Sequence, residues 1–256
     1  DRERAARAEA EAAVRARDEF LSIASHELRN PLAGLTGNLQ LLARRHERGT
    51  LTPEGLARQI VSLRDAGDRL TRLIDDLLDV SRLRTGQLPL RPVALDLAAL
   101  LADAVELVSP TLRGHELTVE NRCDGAHCPI QADPDRMGQV LANLLDNAIK
   151  YSPDGGAIRV TLAPEAGGAS VRVADSGIGL PPEATERIFE PFGRAANARA
   201  RNLPGMGLGL YICRQIVAAH GGTLHAASPG DGAGTTMILW LPGQHQSRES
   251  GVVSRE

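Results

Sequence analysis

Residues 21–42 read LSIASHELRNPLAGLTGNLQLL, and within them Leu21, Ser25, Leu28, Leu32, Leu35, Leu39 and Leu42 alternate spacings of four and three. That is the 3.5-residue repeat of a helix that packs in a bundle. A second run repeats it: Leu56, Ile60, Leu63, Gly67, Leu70, Ile74, Leu77 and Ser81 step in the same way. Between the runs, Gly49, Thr50, Thr52 and Pro53 supply a turn and a helix start. The spacing predicts a helical hairpin. Two helices leave much of each seam uncovered, so a second copy is the simplest cover, and a homodimeric four-helix bundle is expected.

Upstream, residues 1–19 are almost entirely Ala, Arg, Glu and Asp, which predicts a solvated helical or coiled-coil lead-in. The hairpin occupies 20–86. At 86–92 (GQLPLRP) the heptads stop, and strand-like and helix-like segments alternate through a second domain, 87–243. Strands are expected at 117–121, 158–162, 170–174, 222–227 and 235–241, and helices near 97–108, 135–151 and 208–220. Asp133 and Pro134 make a cap and first-turn pair for the middle helix. Residues 244–256 are polar, without periodicity, and are expected to be a disordered tail. The fold class is therefore α+β in two domains.

Composition narrows the function. A charged fraction of 24% and a net charge of -3 provide no basic field for nucleic acid, and 2% aromatics leave little to stack on bases. The apolar stretch from Val93 to Val108 is broken by Asp96, Asp103 and Glu106, so no membrane helix is expected. Cys123, Cys128 and Cys213 are too few and too odd for a disulfide framework, which fits a reducing, cytoplasmic compartment. Cys123, His127 and Cys128 lack a fourth ligand and read as a loop, not a zinc site. The chain opens at Asp1 inside a running helix, so a fragment lacking its upstream partner is expected, and its parent could be membrane-anchored.

His26 follows seam position Ser25 and, at about 100° per residue, points away from the seam toward water. Asn30 shares that face one turn on, and Pro31 leaves the carbonyl of Glu27 without its helical donor, so the backbone can bend beside the histidine. Glu27 can accept from Nδ1, holding the tautomer whose Nε2 lone pair is free for nucleophilic attack. Further along, Asn143 and Asn147 lie four apart on one helix face, followed by Lys150 and Tyr151. Such neutral oxygens suit a Mg²⁺ that bridges nucleotide phosphates, and they would equally serve as buried amides satisfying backbone. GMGLGL, from Gly205, opens a helix whose free amides favour anionic phosphate.

SHELRNPL resembles the phosphoacceptor box of the sensor histidine kinases of bacterial two-component systems. NLLDNAIKYS from Asn143, DSGIGL from Asp175, FEPFGR from Phe189 and GMGLGL are similar, in family order, to that family's N, G1, F and G2 boxes. The resemblance spans roughly 20–242 and implies a HisKA-type dimerisation and phosphotransfer domain followed by a HATPase_c domain, an α/β sandwich of the GHKL (Bergerat) type, with a sensor domain as the missing upstream partner. It implies ATP and Mg²⁺ as cofactors, with Asn147 on the metal, and nucleotide contacts from Asn143, Lys150, Tyr151, Gly205, Gly207 and Gly209. Asp175 would accept from the adenine amino group, with Gly177 and Gly179 letting backbone approach the base. Residues 193–204 carry three arginines, consistent with a mobile lid, and Arg194 is the best placed to reach the γ-phosphate. In the related gyrase and chaperone ATPases a water-activating Glu matches Asn143; an amide there disfavours simple ATP hydrolysis. Gly193 and Met206 stand where an aromatic and Thr are frequent.

The expected activity is autophosphorylation of His26, assisted by Glu27, then transfer to an aspartate of a cognate response regulator. Asn30 resembles the polar residue of family phosphatases, so a reverse phosphatase activity is a candidate. The rival reading is a catalytically silent dimeric scaffold that regulates another kinase or regulator.

Overall fold

In a computed structural model, residues 2–84, 88–123, 127–201 and 203–243 are described, with side chains from residue 22 onward except those of 26 and 84. Contacts divide the chain into two compact units, Asp1–Gln87 and Leu88–Glu256. The expectations for the side chains of the lead-in, for a disordered tail and for the direction of the His26 ring lie outside the described residues.

The first unit is a hairpin of α1 (Arg2–Glu47) and α2 (Pro53–Arg84). Gly49 takes the turn at φ 65°, and Thr52 starts α2, its hydroxyl accepting from the Gly55 amide at 3.1 Å and its carbonyl from the Leu56 amide. Helix α1 runs on through Pro31. The heptad positions split into two sets. Leu28, Leu35 and Leu42 on α1, and Leu56, Leu63, Leu70 and Leu77 on α2, are half-buried, with Ala24, Leu73 and Val80 buried. Leu32, Leu39, Ile60 and Ile74, the alternate positions of the same seams, are 45–55% exposed. A polar layer interrupts the hairpin core, where Gln59 is buried and donates to the Asn38 carbonyl at 3.4 Å while Asn38 donates to Ser62 at 3.2 Å.

The second unit contains β1 (Val93–Asp96), α3 (Leu97–Val108), β2 (His115–Asn121), β3 (Pro129–Ala132), α4 (Pro134–Lys150), β4 (Gly156–Glu165), β5 (Gly168–Asp175), α5 (Ala196–Ala200), α6 (Gly209–Ala219), β6 (Thr223–Ala227) and β7 (Thr235–Pro242). Its main sheet has the order β2-β4-β5-β7-β6, with β2 parallel to β4 and the other pairs antiparallel. Period-2 alternation buries Ile158, Val160 and Leu162 on β4, Val171 and Val173 on β5, and Met237, Leu239 and Leu241 on β7. Against them lie the buried faces of α3 (Leu97, Leu101, Ala104, Val108), α4 (Met137, Val140, Leu141, Leu144, Leu145, Ala148) and α6 (Ile212, Cys213, Ile216, Val217). Each such large side chain contributes about 1.5–3 kcal/mol on burial, so this aliphatic layer fixes α4 and α6 relative to the strand ends.

The sequence reading places α3, α4, α6 and the five strands of the main sheet within a few residues of where they lie, but it assigns no helix to α5 and no strand to β1 or β3. These pair with each other, Val93 opposite Ala132 and Asp96 opposite Pro129. Four-residue strands carry too little alternation to register, and the apolar run from Val93 hides a switch to helix at Asp96. That carboxylate caps α3 by accepting from the Ala98 amide at 3.0 Å, and it accepts again from the Cys128 amide at 2.8 Å and faces His127 Nδ1 at 2.7 Å. His127 and Cys128 are thus tied to Asp96; the thiols of Cys123 and Cys128 are free, and burial with the neighbouring Cys123 pushes the Cys128 thiol up to about 12. No metal-holding group of His, Cys, Asp and Glu occurs among the described residues, and no described helix is long and apolar enough to cross a membrane.

Candidate functional site

In the hairpin, His26 belongs to α1, Glu27 is half-buried with a partner of its own, and Asn30 is exposed. In the second unit, α4 is the organising element. Its start is set by Asp133, whose carboxylate accepts from the amides of Asp135 and Arg136, both at 3.1 Å, and of Arg91 at 2.8 Å. Burial alone would raise this acid, but those three N–H donors hold it below its usual range. At the other end α4 presents Asn143, Asn147 and Lys150. Nδ2 of Asn147 donates to Oδ1 of Asn143 at 2.8 Å, aligning the two carboxamides. Nζ of Lys150 donates to the Tyr151 hydroxyl at 3.0 Å and lies 4.4 Å from the centre of its ring.

The glycine-rich segment before α6 packs directly on that face. A Cβ at Gly205 would sit 2.6 Å from Nζ of Lys150, and one at Gly209 would strike the Asn143 carboxamide. Gly205 and Gly207 have φ of 134° and 78°, conformations that side chains rarely adopt. At Gly207 a Cβ would also meet backbone of Phe192 and Gly193. The result is a cradle of bare backbone at the start of α6, whose first residues have no side-chain cap, beside two neutral carboxamides and an ammonium. This donor set fits a triphosphate: backbone N–H groups and Lys150 for phosphate oxygens, carboxamide oxygens for a hard divalent cation.

The DSGIGL turn abuts the same end of α4. Gly177 lies against the Tyr151 carbonyl and the Ser152 hydroxyl with no room for a side chain, and the Ile178 amide donates to the Tyr151 carbonyl at 2.9 Å. Asp175 holds its turn through Oδ1, which accepts from the amides of Gly177 at 2.8 Å and Thr235 at 3.2 Å. Burial pushes its pKa up and those two bonds offset part of the rise. A carboxylate with one oxygen committed to backbone has the other to offer to an amino group.

Asn143, Asn147, Lys150, Tyr151, Gly205 and Gly209 are therefore neighbours, with Asp175, Gly177 and Gly179 at the adjoining turn. Arg194 is engaged elsewhere: its guanidinium donates to the Leu203 carbonyl, and its Nε is buried without a partner among the described residues. Gly193 approaches the Arg187 and Glu190 carbonyls so closely that the aromatic frequent at that position would not fit this backbone, and Met206 is buried.

Sequence reasoning missed the brace beneath the turn. Between β6 and β7, Ser228 Oγ accepts from the Leu180 amide at 2.9 Å and donates to the Gly234 carbonyl at 2.6 Å. The Gly232 amide donates to Ile178 at 2.7 Å and the Gly234 amide to Gly177 at 3.2 Å. The alternating Gly230, Gly232 and Gly234 were the available signal, since a Cβ at Gly234 would strike the Asp175 carbonyl.

Two family models match the chain: the His Kinase A (phospho-acceptor) domain over residues 16–86, and the histidine kinase-, DNA gyrase B-, and HSP90-like ATPase over residues 132–245. The sensor histidine kinase RcsC of Escherichia coli K12 is 32% identical over 252 residues, 95% of this chain, and the chain spans only 25% of RcsC. Among solved structures, a mycobacterial sensor histidine kinase MprB matches at 31% identity and TM-score 0.53, over 60% of this chain and 99% of that one. The histidine kinase ThkA, solved in complex with the response regulator protein TrrA, matches at 26% identity and TM-score 0.62, over 90% of this chain and 63% of that one.

Proposed function

From the premise that the chain belongs to the sensor histidine kinases of two-component systems, we propose that it phosphorylates its own His26 from ATP and passes the phosphoryl group to an aspartate of a response regulator. The observation that carries this reading is the packing of Gly205 and Gly209 against Lys150 and Asn143, which builds a phosphate cradle on the carboxamide face of α4.

The reaction follows from the residues. Neutral Nε2 of His26 attacks the γ-phosphorus; an N–P bond forms as the bond to the β,γ-bridging oxygen breaks, and ADP leaves with that electron pair. Glu27 stabilises the positive charge that develops toward Nδ1. Mg²⁺, when bound at the oxygen of Asn147, supplies charge neutralisation for the phosphates. Lys150 offsets phosphate charge from the cradle wall, and Arg194 joins it once freed from Leu203. Asn143 is no general base, so water is not activated and ATP persists until the histidine arrives. The second copy that covers the exposed heptad positions makes the working unit a homodimer. Once phosphate has reached the regulator's aspartate, Asn30, exposed on α1, can orient a water for the reverse phosphatase step.

Incubation with γ-labelled ATP tests this. The parent acquires an acid-labile, alkali-stable label; His26→Gln loses it while still binding nucleotide. Full labelling of the variant would remove His26 as acceptor, and an unlabelled parent that binds ATP would favour the silent scaffold.

A further inference from the structure

In the segment expected to act as a lid, Arg201 faces Asp154 at 3.9 Å on the surface, and one further side chain ties it to two neighbouring loops. Its residues 196–200 form α5, and Nδ2 of Asn197 donates to the carbonyls of Ile178 at 3.2 Å and Gly179 at 3.0 Å and to Oδ1 of Asp231 at 3.0 Å. All three partners are acceptors, so the amide's orientation is fixed by chemistry. Oδ1 faces back and accepts from the Ala198 amide at 2.8 Å. One nitrogen thus joins three segments: the lid, the DSGIGL turn that starts at Asp175, and the β6–β7 loop, which itself reaches Ile178 through the Gly232 amide. Neighbouring Ala195 and Ala198 are buried, so α5 is seated as well as tethered.

We propose that Asn197 is a positioning residue that latches the lid to the base-binding turn, so that a purine held at Asp175 steadies the segment carrying Arg194 before any phosphate contact is made. The proposal rests on the nucleotide reading above. A base bonded to Asp175 restrains residues 175–179; their carbonyls then hold a fixed geometry for Nδ2, and α5 stays docked. With the turn empty, its fluctuations pass to the same three bonds. Coupling therefore needs the base alone and runs through one side chain that touches neither base nor phosphate.

Adenosine, which has the base and no phosphate, separates this from ordinary closure over a triphosphate. Hydrogen–deuterium exchange of peptides covering residues 194–201 is followed in the full chain, with adenosine binding measured in parallel by calorimetry. Saturating adenosine slows exchange several-fold in the parent. Asn197→Ala binds adenosine within about threefold of the parent but shows no slowing, as expected when the lost bonds are remote from the base. Asn197→Asp, which sets a carboxylate against two carbonyls and Asp231, exchanges fastest of the three. In turnover, Asn197→Ala keeps KM for ATP within about threefold while kcat falls about tenfold, because the backbone from which Arg194 swings off Leu203 is less often docked. Equal protection in parent and Asn197→Ala, or bound adenosine without protection in the parent, overturns the latch alone. A parent that binds no adenosine overturns the base site, and the latch with it.

Discussion

At Gly209 and Gly177 the same missing atom has two different meanings. An added Cβ at Gly209 meets the tip of a side chain, the Asn143 carboxamide, which can swing away at the expense of its bond to Asn147. At Gly177 it meets the Tyr151 carbonyl, which cannot move without dragging the end of α4. Gly209→Ala should therefore weaken Mg·ATP binding about tenfold with the melting temperature nearly unchanged, since roughly 1.4 kcal/mol of site geometry is lost and the core is intact. Gly177→Ala should cost about 2–3 kcal/mol of overpacking and lower the melting temperature by on the order of 5 °C, losing nucleotide binding with it. Calorimetric titration beside thermal unfolding separates the two. Equal loss of stability in both would mean that Asn143 is as rigidly held as backbone.

Among elements, α2 carries a liability that its heptads do not advertise. Asp76 lies on the half-buried side, and its pKa is raised to about 6 by burial first, then by Asp79 and Asp75, with Arg72 opposing. In the unfolded chain the same group titrates near 3.8. A carboxyl raised on folding favours the protonated native state, so the hairpin is more stable near pH 4 and loses that margin as pH rises through about 6. Asp76→Asn, neutral throughout, should stabilise the chain by about 1–2 kcal/mol at pH 7.5, with the gain vanishing toward pH 4. Urea unfolding at both pH values checks this. A gain that is the same at pH 4 and pH 7.5 would show that packing, not ionisation, is responsible.

For the whole molecule, the hairpin leaves Leu32, Leu39, Ile60 and Ile74 at 45–55% exposure along one repeat. Isolated exposed leucines need no explanation, but a stripe at heptad spacing on both helices is a seam without its partner. Leu39→Glu combined with Ile60→Glu should convert a dimer into a monomer at micromolar concentration, because two charges per copy would be buried unpaired across the bundle. Sedimentation velocity reads this directly, and a parent chain that sediments as a monomer would refute the four-helix bundle.

Repetition and local stereochemistry are legible along the chain before any tertiary contact is known. Heptad spacing shows the hairpin because every seam residue repeats one geometric rule. Asp133 and Pro134 show the start of α4 because capping is satisfied within three residues. Alternation over five to ten residues shows the main strands. Four-residue β1 and β3 were illegible because a pair that short is specified by its partner, not by its own pattern. The spacing of four puts Asn143 and Asn147 on one face, but only folding decides that Gly209 presses on that face and that Lys150 rests on Tyr151. Charge and position mark Arg194 as a phosphate ligand, but in the fold its guanidinium faces the Leu203 carbonyl, a contact nine residues away that no local rule anticipates. Asn197 and the Ser228–Gly234 brace belong to the same class. The turn residues that they reach, and Asp231, lie 18 or more residues away in the chain, and hydrogen bonds between distant segments leave no periodic trace in either one.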